Sequence, residues 1–224
     1  MLVQEWMTKD VFHIGPDTSM MKASRLMKDK NIRRLPVLDD NQRVIGIISD
    51  RDIKEASPSK ATTLDMHELY YLLSELKVKD IMTKNPHCAR EKDSVEGVAL
   101  ILMEKGFGGM PVVDDDNKLV GIITESDIFK VLTSITGVQS GGMQLAFDLP
   151  NQRGMLRPVL DALGERGHSF VSILTSHTPD LPVRRVYIRV QPMSREQEKE
   201  LADSMKSQFN CMVYWEPGKR EQDA

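Results

Sequence analysis

A stretch of this chain is written twice, with the copies 75 positions apart. Arg34 to Ile53 (RLPVLDDNQRVIGIISDRDI) returns as Gly109 to Ile128 (GMPVVDDDNKLVGIITESDI), and Met7-Thr8-Lys9 returns as Met82-Thr83-Lys84 at the same offset. No gap is needed to keep the register. Two similar small units in tandem usually pack face to face, and the cleft between them is a natural binding site.

Each copy reads as a small α/β unit. In the first, Val11 to Ile14 is extended and closed by Gly15-Pro16, and Asp17-Thr18-Ser19 offers capping side chains. Met20, Ala23, Leu26 and Met27 follow at helical spacing. Leu35 to Leu38 and Val44 to Ile48 read as strands around the acidic turn Asp39-Asp40-Asn41, with a helix from Asp50. The second copy predicts a helix over 95–105, strands over 110–113 and 119–123, and a helix from Glu125. Hairpins of this kind are covered on one face by their helices.

Between the copies, Pro58 breaks the chain. Asp65 and Glu68 then resemble a capping box before an apolar stripe of Met66, Leu69, Leu72, Leu73 and Leu76. The stripe suits packing on the repeat pair, with a partner-binding helix as the alternative. After Leu132 the period stops, and Thr136 to Gly142 reads as a glycine-rich linker. Beyond it lie a strand over 143–149, the turn Pro150-Asn151-Gln152-Arg153-Gly154 and a helix carrying Pro158 in its first turn. Strands over 170–174 and 185–190, a helix over 194–209 capped by Ser194 and Gln197, and a strand over 212–215 complete the order. The order βαββαβ predicts a ferredoxin-like sandwich. The expected fold class is α/β (α+β), with repeats at 1–60 and 79–135, a connecting helix at 61–78, a linker at 136–142, a third domain at 143–217 and a polar tail at 218–224.

Composition narrows the function. A formal net charge of −3 gives no footprint for nucleic acid or an anionic membrane. No apolar run approaches the roughly 20 residues that span a bilayer, and Met1 to Trp6 lacks the segments of a signal peptide. Cys88 and Cys211 read as reduced thiols of a cytoplasmic protein. His13, His67, His87, His168 and His177 show no metal-ligand spacing, so no metal site is expected.

The chemistry sits at the end of each repeat, Gly46-Ile47-Ile48-Ser49-Asp50-Arg51-Asp52 and Gly121-Ile122-Ile123-Thr124-Glu125-Ser126-Asp127. A hydroxyl at a strand-to-helix junction lies where unpaired backbone N–H groups collect, which attracts phosphate. An aspartate one turn on can accept hydrogen bonds from ribose hydroxyls. Gly46 and Gly121 would let the backbone approach a flat base, and Arg33, Arg34 and Arg51 can pair with phosphate oxygens. The same hydroxyl-x-x-Asp also fits a helix-capping box; its recurrence in one register favours the ligand reading. No nucleophile, base or metal cluster suggests catalysis.

On these residues the chain resembles the CBS domains, whose tandem pairs form Bateman modules that bind adenosine-containing ligands between the repeats. The resemblance covers Met1 to about Ile135. It implies phosphate contact at Ser49 and Thr124 and ribose contact at Asp52 and Asp127. It sets the base against Val11, Ile14, Leu35 and Pro36 for one site and Pro86, His87, Met110 and Pro111 for the other. Thr83 and His13 are lesser candidates. Gly108, Gly109 and Ser126 stand where the first repeat has Arg33, Arg34 and Arg51, so unequal sites are expected, the first better suited to charged phosphates.

Met143 to Pro217 resembles an ACT domain, in which small ligands such as amino acids often sit near the turn after the first strand, at a dimer interface. Here that turn, Asn151-Gln152-Arg153-Gly154, lacks the acidic residue and proline of the more familiar pattern. Dimerisation is the competing role. The combination resembles AcuB-type acetoin utilisation proteins. The implied function is a non-catalytic, homodimeric sensor of AMP, ADP or ATP, with S-adenosylmethionine or NAD(H) as other ligands, acting on an unidentified partner enzyme. The alternatives are a dimerisation or scaffold module that binds no small ligand, and an enzyme with an unrecognised site.

Overall fold

The computed structural model describes residues 1–57, 75–176 and 182–214. The chain divides into two compact units, Met1–Ile128 and Phe129–Ala224. Most of the expected connecting helix, with Asp65, Glu68 and the stripe from Met66 to Leu73, lies outside the described residues, as do Pro58, His67, His177, Trp215 and the polar tail.

In the first unit the duplication becomes a duplicated fold. The first repeat contains α2 (Met20–Asp29), the hairpin β1 (Arg34–Leu38) and β2 (Val44–Ser49), and α3 (Asp50–Ala56), preceded by the short α1 (Val3–Trp6). The second has α4 (Val78–Ile81), β3 (Thr83–Lys84), β4 (Ala89–Arg90), α5 (Val95–Lys105), β5 (Gly109–Val113), β6 (Leu119–Thr124) and the start of α6 (Glu125–Ile135), a helix within which the first unit ends at Ile128. Local signals explain these boundaries. Ser19 and Ser94 cap α2 and α5 by accepting from the amides of Lys22 and Gly97. In each hairpin an aspartate Oδ1 closes the turn: Asp39 accepts from the amides of Asn41 and Arg43, and Asp114 from those of Asp116 and Lys118. Gln42 and Asn117 take the left-handed conformation at equivalent places, with φ of 63° each. The expected extended segment over 11–14 contracts to one parallel bridge, Ile14 to Val37.

The repeats are not self-contained. Segments at their N-terminal ends are exchanged. Met7-Thr8 pairs with the second repeat through the Thr8–Ile122 bridge, and Thr83-Lys84 pairs with the first repeat along Gly46-Ile47. Val78 lies wholly buried in the core of the first repeat with Ile14, Met20, Leu35 and Ile48. Two glycines make the exchange fit. A Cβ on Gly46 would overlap the Met82 side chain, and one on Gly121 would overlap Met7 and come within 3.1 Å of the Thr8 carbonyl. These glycines therefore admit methionine side chains, and the sequence reading of them as room for a ligand base is corrected. At the junction of the hairpins, the Val44 amide donates to Asn117 O at 3.1 Å, and Arg43 bridges Lys118, its own counterpart.

The second unit holds β7 (Gln144–Pro150), α7 (Arg157–Gly164), β8 (Phe170–Ser176), β9 (Val183–Val190), α8 (Arg195–Gln208) and β10 (Cys211–Tyr214). Its antiparallel sheet runs β10-β7-β9-β8, the order 4-1-3-2 that a split βαβ sandwich requires. Leu145, Phe147 and Ile188 are fully buried in its core with Leu163, Leu201 and Met205. Pro158 sits at the start of α7, and Ser194 with Gln197 forms the capping box of α8. Asp148 and Arg185 pair across the sheet through two hydrogen bonds of 2.7 and 2.8 Å, which holds the Asp148 carboxyl below its usual range.

The glycine-rich stretch expected as a linker is fastened to this unit. Arg189, only 6% exposed, donates to Thr136 O at 3.0 Å, Gly142 O at 2.7 Å and Gln144 Oε1 at 3.2 Å. Ser172 Oγ donates to the same Thr136 carbonyl at 2.9 Å. Gly137 and Gly142 adopt positive φ there, and a Cβ on Gly142 would overlap the Val190 carbonyl.

Replacing Arg189 by Met is expected to lower the stability of the second unit by about 2–4 kcal/mol, because the buried Gly142 carbonyl and the part-buried Thr136 carbonyl lose a charged donor; urea unfolding measures it. Gly121→Ala is expected to cost roughly 1–3 kcal/mol by overpacking. Adding Met7→Ala should recover part of that loss in a double-mutant cycle.

Candidate functional site

The exchange of segments builds the cavity. Because β3 pairs with β2 and the Asn85 amide donates to Ile45 O at 3.1 Å, the chain after β3 is carried to the end of the first repeat's hairpin. Pro86 and His87 thereby stand beside Ser49 and Asp52. The Gly109-Met110-Pro111 end of β5 forms another wall. The result is a cavity of about 390 Å³ shared by the two repeats, within the roughly 300–1,000 Å³ of small-molecule sites.

Ten of the fifteen nucleotide-site residues expected from the sequence converge here: Arg33, Arg34, Ser49, Arg51 and Asp52 from the first repeat, and Thr83, Pro86, His87, Met110 and Pro111 from the second. The grouping differs from the expectation, which set Pro86, His87, Met110 and Pro111 at a site of their own. Ile14 lies 8% exposed in the first repeat's core with Leu35, away from the cavity wall. Pro36 is buried, and its carbonyl accepts from the Ile14 amide at 3.1 Å. Val11, half-buried, is the counterpart of Pro86 by the 75-residue offset, and Thr124 and Asp127 are the counterparts of Ser49 and Asp52. None of these lines this cavity. His13 is exposed, its Nδ1 3.2 Å from Val11 O.

The hydroxyl-x-x-Asp motifs adopt the capping geometry in both repeats. Asp52 Oδ2 accepts from the Ser49 amide and the Ser49 hydroxyl, each at 2.7 Å, while Ser49 Oγ accepts from the Asp52 amide at 3.3 Å. Asp127 Oδ2 accepts from the Thr124 amide at 3.0 Å and the Thr124 hydroxyl at 2.7 Å. The two aspartates differ in access: Asp127 is 3% exposed, whereas Asp52 is half-buried on the cavity wall. A carboxylate has about four acceptor positions, so capping through Oδ2 leaves Asp52 Oδ1 with capacity for a ligand hydroxyl.

Charge is nearly balanced around the cavity. Three guanidiniums, Arg33, Arg34 and Arg51, face three carboxylates, Asp50, Asp52 and Glu125. Lys54 holds Asp50 in a 2.8 Å ion pair that keeps its carboxyl below the usual range. Burial weakens the proton affinity of the Arg34 guanidinium, and the charge of Glu125 opposes that shift. Arg34 Nη1 donates across the cavity to the Gly108 carbonyl.

Sequence reasoning missed Ile47, Asn85, Phe107 and Glu125 on the wall. Phe107 packs its ring 5.6 Å from that of His87. Glu125 was legible as the counterpart of Asp50, whereas Asn85 and Phe107 match Asp10 and Ile32, so the repeat gave them no signal. A second cavity of about 320 Å³ in the C-terminal unit is lined by the expected turn Asn151, Gln152, Arg153 and Gly154, with Thr175 and Arg184. Arg184 Nε is buried there without a hydrogen-bond partner. Among the described residues, no group of three or more His, Cys, Asp or Glu is arranged to hold a metal ion, and no helix is long and apolar enough to cross a membrane.

Comparison with known proteins supports the duplication independently. The CBS domain model matches residues 3–59 and 78–134. A CBS domain-containing protein of Dictyostelium discoideum is 32% identical over 134 residues, covering 60% of this chain and 92% of that protein. An inosine-5'-monophosphate dehydrogenase of Methanocaldococcus jannaschii is 34% identical over 126 residues, which span 56% of this chain but 22% of the enzyme. The crystal structure of CBSX2 from Arabidopsis thaliana in complex with AMP is 34% identical, with a TM-score of 0.50 over 60% of this chain and 97% of that one. The CBS domain pair of protein MJ0100, solved with 5'-methylthioadenosine and S-adenosyl-L-methionine, is 29% identical at a TM-score of 0.50, covering 59% of this chain and 95% of that one. A putative acetoin utilization protein (AcuB) from Vibrio cholerae is 25% identical at 0.52, covering 62% and 95%. With both repeats matched in register and their shared cavity in place, this chain belongs to the CBS-domain family, as a tandem pair forming a Bateman module.

Proposed function

We propose that the chain is a non-catalytic regulatory protein whose paired repeats sense an adenosine-containing nucleotide, AMP, ADP or ATP, in the shared cavity. The observation that carries this reading is the meeting of Ser49 and Asp52 with three guanidiniums and the apolar side chains of Pro86, Met110 and Pro111 in one cleft. In this reading the guanidiniums hold phosphate oxygens, joined by the Ser49 hydroxyl once it turns away from Asp52 Oδ2, Asp52 Oδ1 accepts from ribose hydroxyls, and the apolar wall flanks the base. The relatives solved with AMP and with 5'-methylthioadenosine and S-adenosyl-L-methionine support the adenosine-containing ligand class. The buried Asp127 and the absence of arginine at 108, 109 and 126 favour a weaker or differently used second site.

The C-terminal unit is read as an ACT domain that dimerises or takes a second small ligand at the Asn151–Gly154 turn. The partnerless Arg184 Nε beside that cavity favours an anionic group such as a carboxylate. Homodimerisation suits the exposed apolar residues of α5, Leu100 at 58% and Met103 at 79%. Cytoplasmic residence and action on a partner enzyme belong to the same proposal. A dimerisation or scaffold module that binds no nucleotide is the alternative.

Calorimetry with AMP, ADP, ATP, S-adenosylmethionine and NADH tests the reading. Asp52→Ala is expected to weaken nucleotide binding about 10- to 150-fold, through loss of charge-assisted bonds worth roughly 1.5–3 kcal/mol. The lost cap should cost only about 1 kcal/mol of stability. Unchanged affinity in both Asp52→Ala and Asp127→Ala leaves the motifs as caps alone. No melting shift at millimolar ligand favours the scaffold alternative.

A further inference from the structure

Gly108 and Gly109 occupy the places that Arg33 and Arg34 hold in the first repeat. They are where the Arg34 guanidinium rests. A Cβ on Gly108 would overlap Arg34 Nη2, and one on Gly109 would lie 2.6 Å from Arg34 Nη1 and 2.9 Å from the Ile123 carbonyl. The Gly108 carbonyl accepts from Arg34 Nη1 and, at 3.3 Å, from the Glu125 amide. An arginine at 109 would compete with Arg34 for the same space. The asymmetry between the repeats is therefore complementary: side chains removed from one make the seat for a side chain of the other.

We propose that Gly108 and Gly109 are positioning residues that seat Arg34 across the cavity, and that Arg34 so held makes the cavity select phosphate-bearing adenosine ligands over neutral or cationic ones. The inference rests on the nucleotide reading of this cavity. Arg34 begins β1, so its backbone is fixed by the sheet, and the Gly108 carbonyl orients its planar fork. The guanidinium has five N–H donors; one serves Gly108, and others remain for an anion. A sulfonium at the place of the phosphate would be repelled by this guanidinium, and a neutral thioether would leave it unused. Selection then arises as a difference between two affinities.

The test compares AMP, 5'-methylthioadenosine and S-adenosylmethionine by calorimetry on the full chain and on Arg34→Ala and Gly108→Ala. Gly108→Ala is the discriminating variant. The nearest atoms to its new methyl are the end of a flexible arginine, with Glu125 Oε2 at 3.5 Å, so the arginine moves and the backbone need not. Both variants are expected to lose at least about tenfold in AMP affinity while keeping their affinity for 5'-methylthioadenosine, and Arg34→Ala should bind S-adenosylmethionine more tightly than the parent. AMP affinity unchanged in both variants, or AMP and 5'-methylthioadenosine weakened equally, overturns the seat. If the parent chain binds none of the three at millimolar concentration, the nucleotide reading itself fails, and the seat with it. An Arg34→Ala loss that Gly108→Ala does not reproduce keeps a phosphate role for the arginine but overturns the role of the glycines.

Discussion

The first unit depends on a reciprocal exchange: each repeat completes its sheet and core with a segment that belongs, by sequence, to the other. Thr8 bridges Ile122 and Thr83 pairs with Ile47, while Met7 and Met82 press onto the bare faces of Gly121 and Gly46. A short hairpin with two helices has too little apolar surface to be stable alone. Exchange ties the two hairpins into one folding unit and fixes their relation. It also explains why the glycines recur at this position: methionine sulfur fills the space a side chain would occupy.

The same exchange decides what the cavity is made of. Pro86 and His87 reach Ser49 only because β3 adds to the edge of β2. A site between two repeats is then a site made from both, and the pseudo-twofold relation would ordinarily make two alike. Substitution breaks the equivalence. Arg34 crosses to the Gly108 carbonyl, Asp52 stays accessible and Asp127 is buried. The capping bonds occupy both Ser49 donors and one Asp52 oxygen, so the cap is compatible with an acceptor role for Asp52 through Oδ1, whereas a donor role for Ser49 requires its hydroxyl to turn.

Much of the fold was legible. The helix over 95–105, the Ser19 and Ser194 caps, the acidic turns and the βαββαβ order all follow from local chemistry, and the structure bears them out. What misled was local reasoning about residues whose purpose lies elsewhere in the chain. Gly46 and Gly121 suggested ligand access and turned out to face methionines. The stretch Thr136–Gly142 suggested a free linker, because glycines mark flexible chain, yet a buried arginine some 50 residues later holds its carbonyls. Ile14, read as a base contact, belongs to a core.

By itself the sequence determined that two like units exist, which side chains punctuate their elements, and which residue types with affinity for phosphate and ribose they carry. These are properties of neighbours along the chain, where spacing and propensity act directly. Only the tertiary structure decided which copy of each motif meets which. It placed the second repeat's Pro86 and Met110 beside the first repeat's Ser49, and it gave Gly108 and Gly109 an arginine to receive. The physical reason is that an exchanged strand pairs through backbone hydrogen bonds and buried apolar fit. That partnership is made between positions 36 to 114 residues apart, and no local pattern records it.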